Sequence, residues 1–293
     1  MIYRTLGRTG LSVSEVSLGG AYLMGDNPDH YLERTRSVIE TAAALGINYI
    51  DTAPLYGKSE ILLGEALGDL AGRFHIATKV GYDPVDFDYR RDNVLWSLER
   101  SLQRLRVDKL TIAQIHEVNM AGWERIMEPG GTLEGLTLAR ERGLCDYIGI
   151  TGRAIPLLAQ LAATGEFDTL LVYHDFHPAS SKAALEVLPA AAVQKMGVVI
   201  GTPLAGGLYT ATPRQAEALA ALESDGERER FHQWLAVVQG LPGSLPQQAF
   251  RYMLADTRVS TISSGAATPA ELTEVAAASD MGALPWSSGA VGL

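Results

Sequence analysis

Eight short runs of apolar, largely β-branched residues recur along the chain, separated by longer stretches of helical periodicity; no other feature limits the fold so tightly. The runs are Glu15–Leu18, Asn48–Asp51, Phe74–Lys79, Leu110–His116, Tyr147–Thr151, Leu170–Tyr173, Val198–Thr202 and Val259–Ser263. They are nearly continuous in apolar residues rather than alternating, the mark of strands covered on both faces. Between them, Thr35–Leu45 sets Val38, Ile39, Ala42 and Leu45 on one helical stripe, and Asp92–Leu105 does the same with Val94, Leu95, Leu98, Leu102 and Leu105. Thr132–Arg142, Pro156–Ala163, Ser181–Lys195, Pro246–Leu254 and Pro269–Ala277 begin near Ser, Thr or Pro, as helix N-termini do. The 293 residues spread over eight units give about 37 each, room for a strand, a helix and two loops. The sequence therefore predicts an α/β protein, a (β/α)8 TIM barrel with residues 1–293 as one domain.

Two segments stand outside the repeat. Tyr3–Leu6 and Leu11–Val13, joined by Gly7-Arg8-Thr9-Gly10, predict a β-hairpin ahead of the barrel. Thr212–Gln239 is too long for a single connection and is charged over Glu223–Arg230, which predicts an extra helical excursion near the mouth. Lys and Arg number 24 against 34 Asp and Glu, and a net charge of −10 argues against a nucleic-acid partner, whose phosphates need clustered cations. The single cysteine, Cys145, excludes an internal disulfide and a multi-cysteine zinc site and reads as a buried small side chain. The first apolar stretch, Val13 to Ala21, is interrupted by Ser14, Glu15 and glycines, and no run approaches the ~18 apolar residues of a membrane span. A cytoplasmic protein with a small-molecule substrate and no membrane partner is expected.

In such a barrel the chemistry lies where the strands end. The second run closes on Asp51 and continues Thr52-Ala53-Pro54-Leu55-Tyr56-Gly57-Lys58-Ser59-Glu60; the third closes on Lys79 and the fourth on His116. An ammonium ending an apolar strand needs a partner, and Asp51 at the neighbouring strand end supplies one. A phenol with an ordinary pKa of about 10 exchanges protons poorly near neutrality. A nearby cation is expected to lower that value, with Asp51 fixing Lys79 and His116 orienting a substrate oxygen. The set lacks a strong nucleophile and a metal cluster. It offers proton transfer at an alcohol or carbonyl oxygen, and a cofactor must supply the other half of the reaction.

The ordered set Asp51-Thr52-Ala53-x-x-Tyr56-Gly57-x-Ser59-Glu60, then Lys79, then His116, together with the opening Tyr3-Arg4-Thr5-Leu6-Gly7-Arg8-Thr9-Gly10-Leu11, resembles the aldo-keto reductase superfamily over nearly the whole chain. The resemblance implies Tyr56 as acid/base, Lys79 and Asp51 as its tuning pair, His116 as substrate orienter, and an extended nicotinamide cofactor held without a Rossmann domain. The chain has no strand-linked G-x-G-x-x-G. The resemblance also sets the cofactor contacts. Where many members carry a Ser-Asn pair on the carboxamide, this chain has Thr151 and Gly152; Tyr173 ends the next run. Thr202-Pro203-Leu204 stands where many members stack a Tyr on the nicotinamide, and the stretch through Gly206 resembles the loop over the pyrophosphate. After the last run, Gly265-Ala266 matches the family's turn, and Ala267 falls where members preferring NADP place an Arg; Glu271 follows. A 2′-phosphate wants bidentate Arg recognition, so NAD is expected over NADP.

These variants look like the aldose 1-dehydrogenase branch, which oxidises a sugar hemiacetal to a lactone. His174, Asp175 and His177 are then candidate ligands for sugar hydroxyls, and Trp123 and Trp286 for an apolar wall. Three rivals differ in what they require. Carbonyl reduction uses the same site in reverse. A low-turnover nicotinamide sensor resembling the potassium-channel β-subunits has no use for the four catalytic types. A metal-dependent hydrolase on Asp51, His75, His116, His174 and His177 needs ligands at strand ends, whereas His75 sits near the start of its run. No metal site is predicted.

Overall fold

The computed structural model describes residues 1–23, 30–82 and 87–284. Eight parallel strands close into a barrel in the order β10-β3-β4-β5-β6-β7-β8-β9. They are β3 (Val16–Gly19), β4 (Tyr49–Asp51), β5 (His75–Val80), β6 (Leu110–Ile115), β7 (Cys145–Gly152), β8 (Thr169–Tyr173), β9 (Gly197–Gly201) and β10 (Thr261–Ser264). Each coincides with one of the apolar runs to within two residues at either end. Helices α1 (Tyr31–Ala44), α3 (Arg91–Leu105), α5 (Thr132–Glu141), α6 (Ile155–Ala163), α11 (Leu245–Leu254) and α12 (Pro269–Met281) lie at the expected stripes. Their inner faces join one apolar core with the outer faces of the strands. Cys145 is buried, and its surroundings push the thiol up to about 12.

Ahead of the barrel, β1 (Tyr3–Thr5) and β2 (Ser12–Ser14) form the expected antiparallel hairpin. It closes the end of the barrel where the strands begin. Leu6 and Val13 are fully buried against Tyr49, Ala77, Ile112, Leu171 and Val199 of the barrel interior. Arg8 hydrogen-bonds Asp168 at 3.0 Å just before β8, and Thr9 accepts from the Tyr147 hydroxyl at 2.9 Å.

Three helical features depart from the periodicity. Helix α2 (Ser59–Leu67) has no polar stripe: seven of its nine residues are buried, so no amphipathic pattern announces it. It crosses α3 so closely that a Cβ on Gly64 would lie 2.1 Å from the Arg104 carbonyl oxygen, and only glycine fits. The stretch Ser181–Lys195 is not one helix but α7 (Lys182–Leu185) and α8 (Val187–Val193). Pro189 has no N–H for the Leu185 carbonyl four residues back, and its ring would strike that carbonyl, so the helix breaks between them. A further helix, α4 (Val118–Met127, interrupted at Gly122), follows β6. The excursion forms α9 (Arg214–Ala220) and α10 (Asp225–Val238), and Phe231, Trp234 and Val238 of α10 are buried in the core. No described helix is long and apolar enough to cross a membrane.

Candidate active site

Asp51, Lys79 and Gln114 lie on the successive strands β4, β5 and β6, with Lys79 in register beside Gln114. All three are buried. Lys79 Nζ donates to Asp51 Oδ2 at 2.6 Å and to the Thr52 carbonyl at 2.9 Å; Gln114 Nε2 donates to Asp51 Oδ1 at 2.9 Å. Both carboxylate oxygens are thereby satisfied, which makes a buried ion pair tolerable. Burial works against the Lys79 ammonium, but Asp51 and the Tyr56 hydroxyl outweigh it and hold the pKa above the ordinary lysine range.

Tyr56 is carried on the turn between β4 and α2. Its N–H donates to the Ala53 carbonyl at 3.1 Å, and the Thr52 and Ser59 hydroxyls, 2.9 Å apart, pin the turn at its base. Glu60 is tied down by Thr78 and by Arg104, each at 2.6 Å, so this acid anchors α2 to β5 and α3. Lys79 Nζ stands 4.7 Å from the centroid of the Tyr56 ring. Burial raises the phenol pKa, the Lys79 charge lowers it, and burial prevails. The expectation that a cationic neighbour makes this phenol more acidic than a free one is therefore corrected: Lys79 only limits the rise, because removing the phenolate from water costs more than one paired ammonium returns.

His116 lies just past β6, its ring edge-on to Tyr56 at 5.8 Å and to Tyr82 at 5.4 Å. Burial and the Lys79 charge hold its pKa well below the usual imidazole value, against a smaller opposing pull from the Tyr82 backbone. The ring is neutral at physiological pH. The four residues singled out from the strand ends thus meet at one rim, joined by Gln114 and Tyr82, which the sequence reading passed over. Gln114 had a signal, being an amide inside the apolar strand Leu110–Ile115.

Two of the sugar-ligand candidates are paired within the protein. Asp175 is buried with its two oxygens on Arg153 Nε and Nη2 at 3.0 and 3.2 Å. His177 is buried, bonds Tyr209 through Nδ1 at 2.8 Å, and is lowered by burial to a pKa of about 3. Both brace the loop after β8, and each also lines a cavity, His177 beside His174 and Asp175 beside Glu117. His174 lines a cavity of about 370 Å3 with Arg153, Ala205, Gly206 and residues of the excursion. Trp123, on α4, packs against the core, and Trp286 lies outside the described residues. Among the described residues no group of three or more His, Cys, Asp or Glu is placed to hold a metal ion.

The residues matched to a dinucleotide lie at or beyond the ends of β7, β8, β9 and β10, which are neighbours in the barrel. Thr151 is buried and donates its hydroxyl to the Ile115 carbonyl at 2.9 Å, so that proton is not free for a carboxamide. Gly152 closes β7 and Tyr173 closes β8. Beyond β9, Thr202, Ala205, Gly206 and Gly207 all have positive φ, and a Cβ on Gly206 would meet nothing within 4 Å. Backbone turned this way forms a concavity suited to phosphate, and open space lies against it. Pro203 is buried and Leu204 half-buried in the same loop. At the far end Gly265 is exposed, and Glu271 accepts from the N–H of Ala267 at 2.8 Å and of Thr268 at 3.2 Å. The Glu271 N–H donates in turn to the Thr268 hydroxyl oxygen, completing a capping box on α12. This series fits an extended dinucleotide.

A phenol, a buried ammonium and an imidazole thus meet at the strand-end rim of a (β/α)8 barrel, an arrangement able to pass a proton to or from an oxygen. The chain belongs to the aldo/keto reductase family, whose profile matches residues 15–287, and it is an oxidoreductase of the kind that uses nicotinamide cofactors. Among its relatives are the L-galactose dehydrogenase of Arabidopsis thaliana, 28% identical over 94% of this chain and 87% of that protein, and the D-arabinose 1-dehydrogenase of Saccharomyces cerevisiae, 34% identical over 58% of this chain and 55% of that one. The holo form of aldo-keto reductase AKR11C1 from Bacillus halodurans shares the fold, with a TM-score of 0.79 at 24% identity, covering 97% of this chain and 92% of that chain.

Proposed function

We propose that the protein oxidises a sugar hemiacetal to an aldonolactone with NAD, Tyr56 carrying the proton. The observation that bears most weight is the buried Lys79–Asp51 pair set against Tyr56, an arrangement suited to moving a proton at a substrate oxygen. The names of the two relatives support an aldose as substrate. Preference for NAD rests on Glu271: its carboxylate occupies the N-terminus of α12, where a 2′-phosphate would otherwise seek N–H donors. No lysine or arginine lies between Ser263 and Leu272 to offset it.

When bound, the cofactor accepts or returns the hydride. Leu204 and Gly206 would lie along its phosphate chain, with Gly265, Ala267 and Glu271 at the adenosine end and Thr151, Gly152, Tyr173, Thr202 and Pro203 beside the nicotinamide. His116, neutral, hydrogen-bonds the substrate's reacting oxygen and fixes it against Tyr56. Tyr56 takes the anomeric hydroxyl proton in oxidation and donates it in reduction. Lys79 steadies the phenolate between those events, and Asp51 with Gln114 holds Lys79 in place.

Carbonyl reduction has its own support, because burial keeps the phenol protonated near neutrality, the form that reduction requires. A panel of aldoses and simple aldehydes, followed at the reduced-nicotinamide absorbance with NAD and NADP, decides between the directions. Aldose oxidation dominating with NAD upholds the reading. Turnover confined to aldehydes overturns it.

A further inference from the structure

Glu117 follows His116 directly, yet nothing above uses it. Its backbone is left-handed, φ 55° and ψ 72°, a conformation that a side chain with a Cβ adopts only when held there. Besides bonds to its carbonyl from Met120 and Tyr89, two contacts hold it. Its N–H lies 3.4 Å from the Thr151 hydroxyl oxygen, and its Oε1 accepts from the Tyr173 hydroxyl at 2.7 Å. The second contact reaches from the end of β6 to the end of β8, past Gly152 on the strand between, which contributes no side chain.

Glu117 is half-buried and lines a cavity of about 600 Å3 with Asn119, Arg153 and Tyr173. Among the described residues Oε2 has no hydrogen-bond partner and the carboxylate has no ion pair. Two cations line that wall: Arg153 is taken up by Asp175 at 3.0 Å and Glu223 at 2.8 Å, and Lys182 by Glu223 at 2.5 Å and Glu227 at 3.2 Å. Glu117 is the residue after His116 at the end of β6, and the Tyr89 hydroxyl donates to the carbonyls of both, so it stands on the rim that carries the catalytic set. A carboxylate accepts hydrogen bonds and donates none, and one left half-solvated in a cavity wall favours a ligand that brings hydroxyl protons.

We infer that Glu117, aimed by Tyr173, is the specificity-determining group that selects substrates with hydroxyls flanking the reacting carbon over apolar carbonyls. The inference deepens the aldose reading and rests on it for the position of the substrate. A hydroxylated substrate completes the acceptor, whereas an apolar aldehyde of equal length strips water from it and returns nothing.

The test is the ratio of kcat/KM for glyceraldehyde to that for propanal, both in the reductive direction, with the NAD dissociation constant measured separately by quenching of protein fluorescence. In Glu117→Ala the ratio falls at least about tenfold, chiefly through the glyceraldehyde KM, as loss of a charged hydrogen bond predicts. Glu117→Gln, which keeps an acceptor but no charge, recovers part of it. Tyr173→Phe, which leaves the carboxylate unaimed, lowers the same ratio less and serves if Glu117→Ala does not fold. An unchanged ratio in a folded variant overturns the inference. So does a weaker NAD affinity without a change in ratio, which would assign Glu117 to the cofactor. Aldose oxidation by the unaltered protein is a separate reading: its absence alongside a Glu117-dependent ratio would sink the proposed function alone.

Discussion

Lys79 Nζ and Asp51 Oδ2 meet at 2.6 Å inside the barrel, with both side chains almost wholly out of water. A buried pair of this kind is costly to break, because the survivor remains charged where nothing compensates it. Its value therefore lies in placing a positive charge beside Tyr56 more than in stability.

Lys79→Met is expected to lower stability by about 3–5 kcal/mol, since it strands the Asp51 carboxylate. Adding Asp51→Asn removes that stranded charge, so the double variant recovers most of the loss in urea unfolding while turnover stays absent. Recovery of turnover along with stability would show that the pair is structural only.

Tyr56→Phe removes the proton carrier and leaves the dinucleotide path intact. Turnover is expected to fall about 10²–10⁴-fold, the range for general acid–base groups, with NAD affinity by fluorescence titration unchanged. Because burial raises the phenol's pKa, oxidation by the unaltered protein should quicken as pH climbs above neutrality, and that rise should vanish in the variant.

Cofactor choice should yield to two substitutions at the start of α12. Ala267→Arg supplies a guanidinium, and Glu271→Gln removes the negative charge while keeping the capping geometry. The NAD-to-NADP ratio of kcat/KM is expected to drop at least about tenfold in the pair. Equal ratios before and after would mean that the 2′-phosphate lies elsewhere.

Acid should destabilise the fold from just below neutrality. His177 sits at about 3 when folded against about 6.5 when unfolded, so between these values the unfolded chain binds the extra proton and stability falls as pH falls. His177 alone accounts for about 2 kcal/mol between pH 6.5 and 5. His75, His116 and His174 are also lowered and act in the same direction. Thermal unfolding across pH 5–7.5 reads the slope, which should flatten in His177→Phe. A flat profile in the unaltered protein would mean that His177 is not held neutral.

Asp51, Lys79 and His116 were legible in the sequence because each interrupts or closes an apolar run, and a polar group there has nowhere to point except the rim. Tyr56 was legible by its distance from Asp51 along one loop. Helix α2 was not, since a helix buried on nearly all sides has no stripe to betray it, and Pro189 split a helix that composition alone ran together. The pairings of Asp175 with Arg153 and of His177 Nδ1 with Tyr209 were not legible, because they join residues on different elements. The direction of the Tyr56 shift was hidden for a related reason. Neighbouring charges can be inferred from strand order, whereas the depth of burial depends on packing by the whole rim.

The hairpin is wedged beneath the barrel, and Leu6 and Val13 stopper the end opposite the catalytic rim. Redesign of the rim loops can proceed without loosening that plug, and alterations to the plug should register in the durability of the scaffold before they register in its choice of guests.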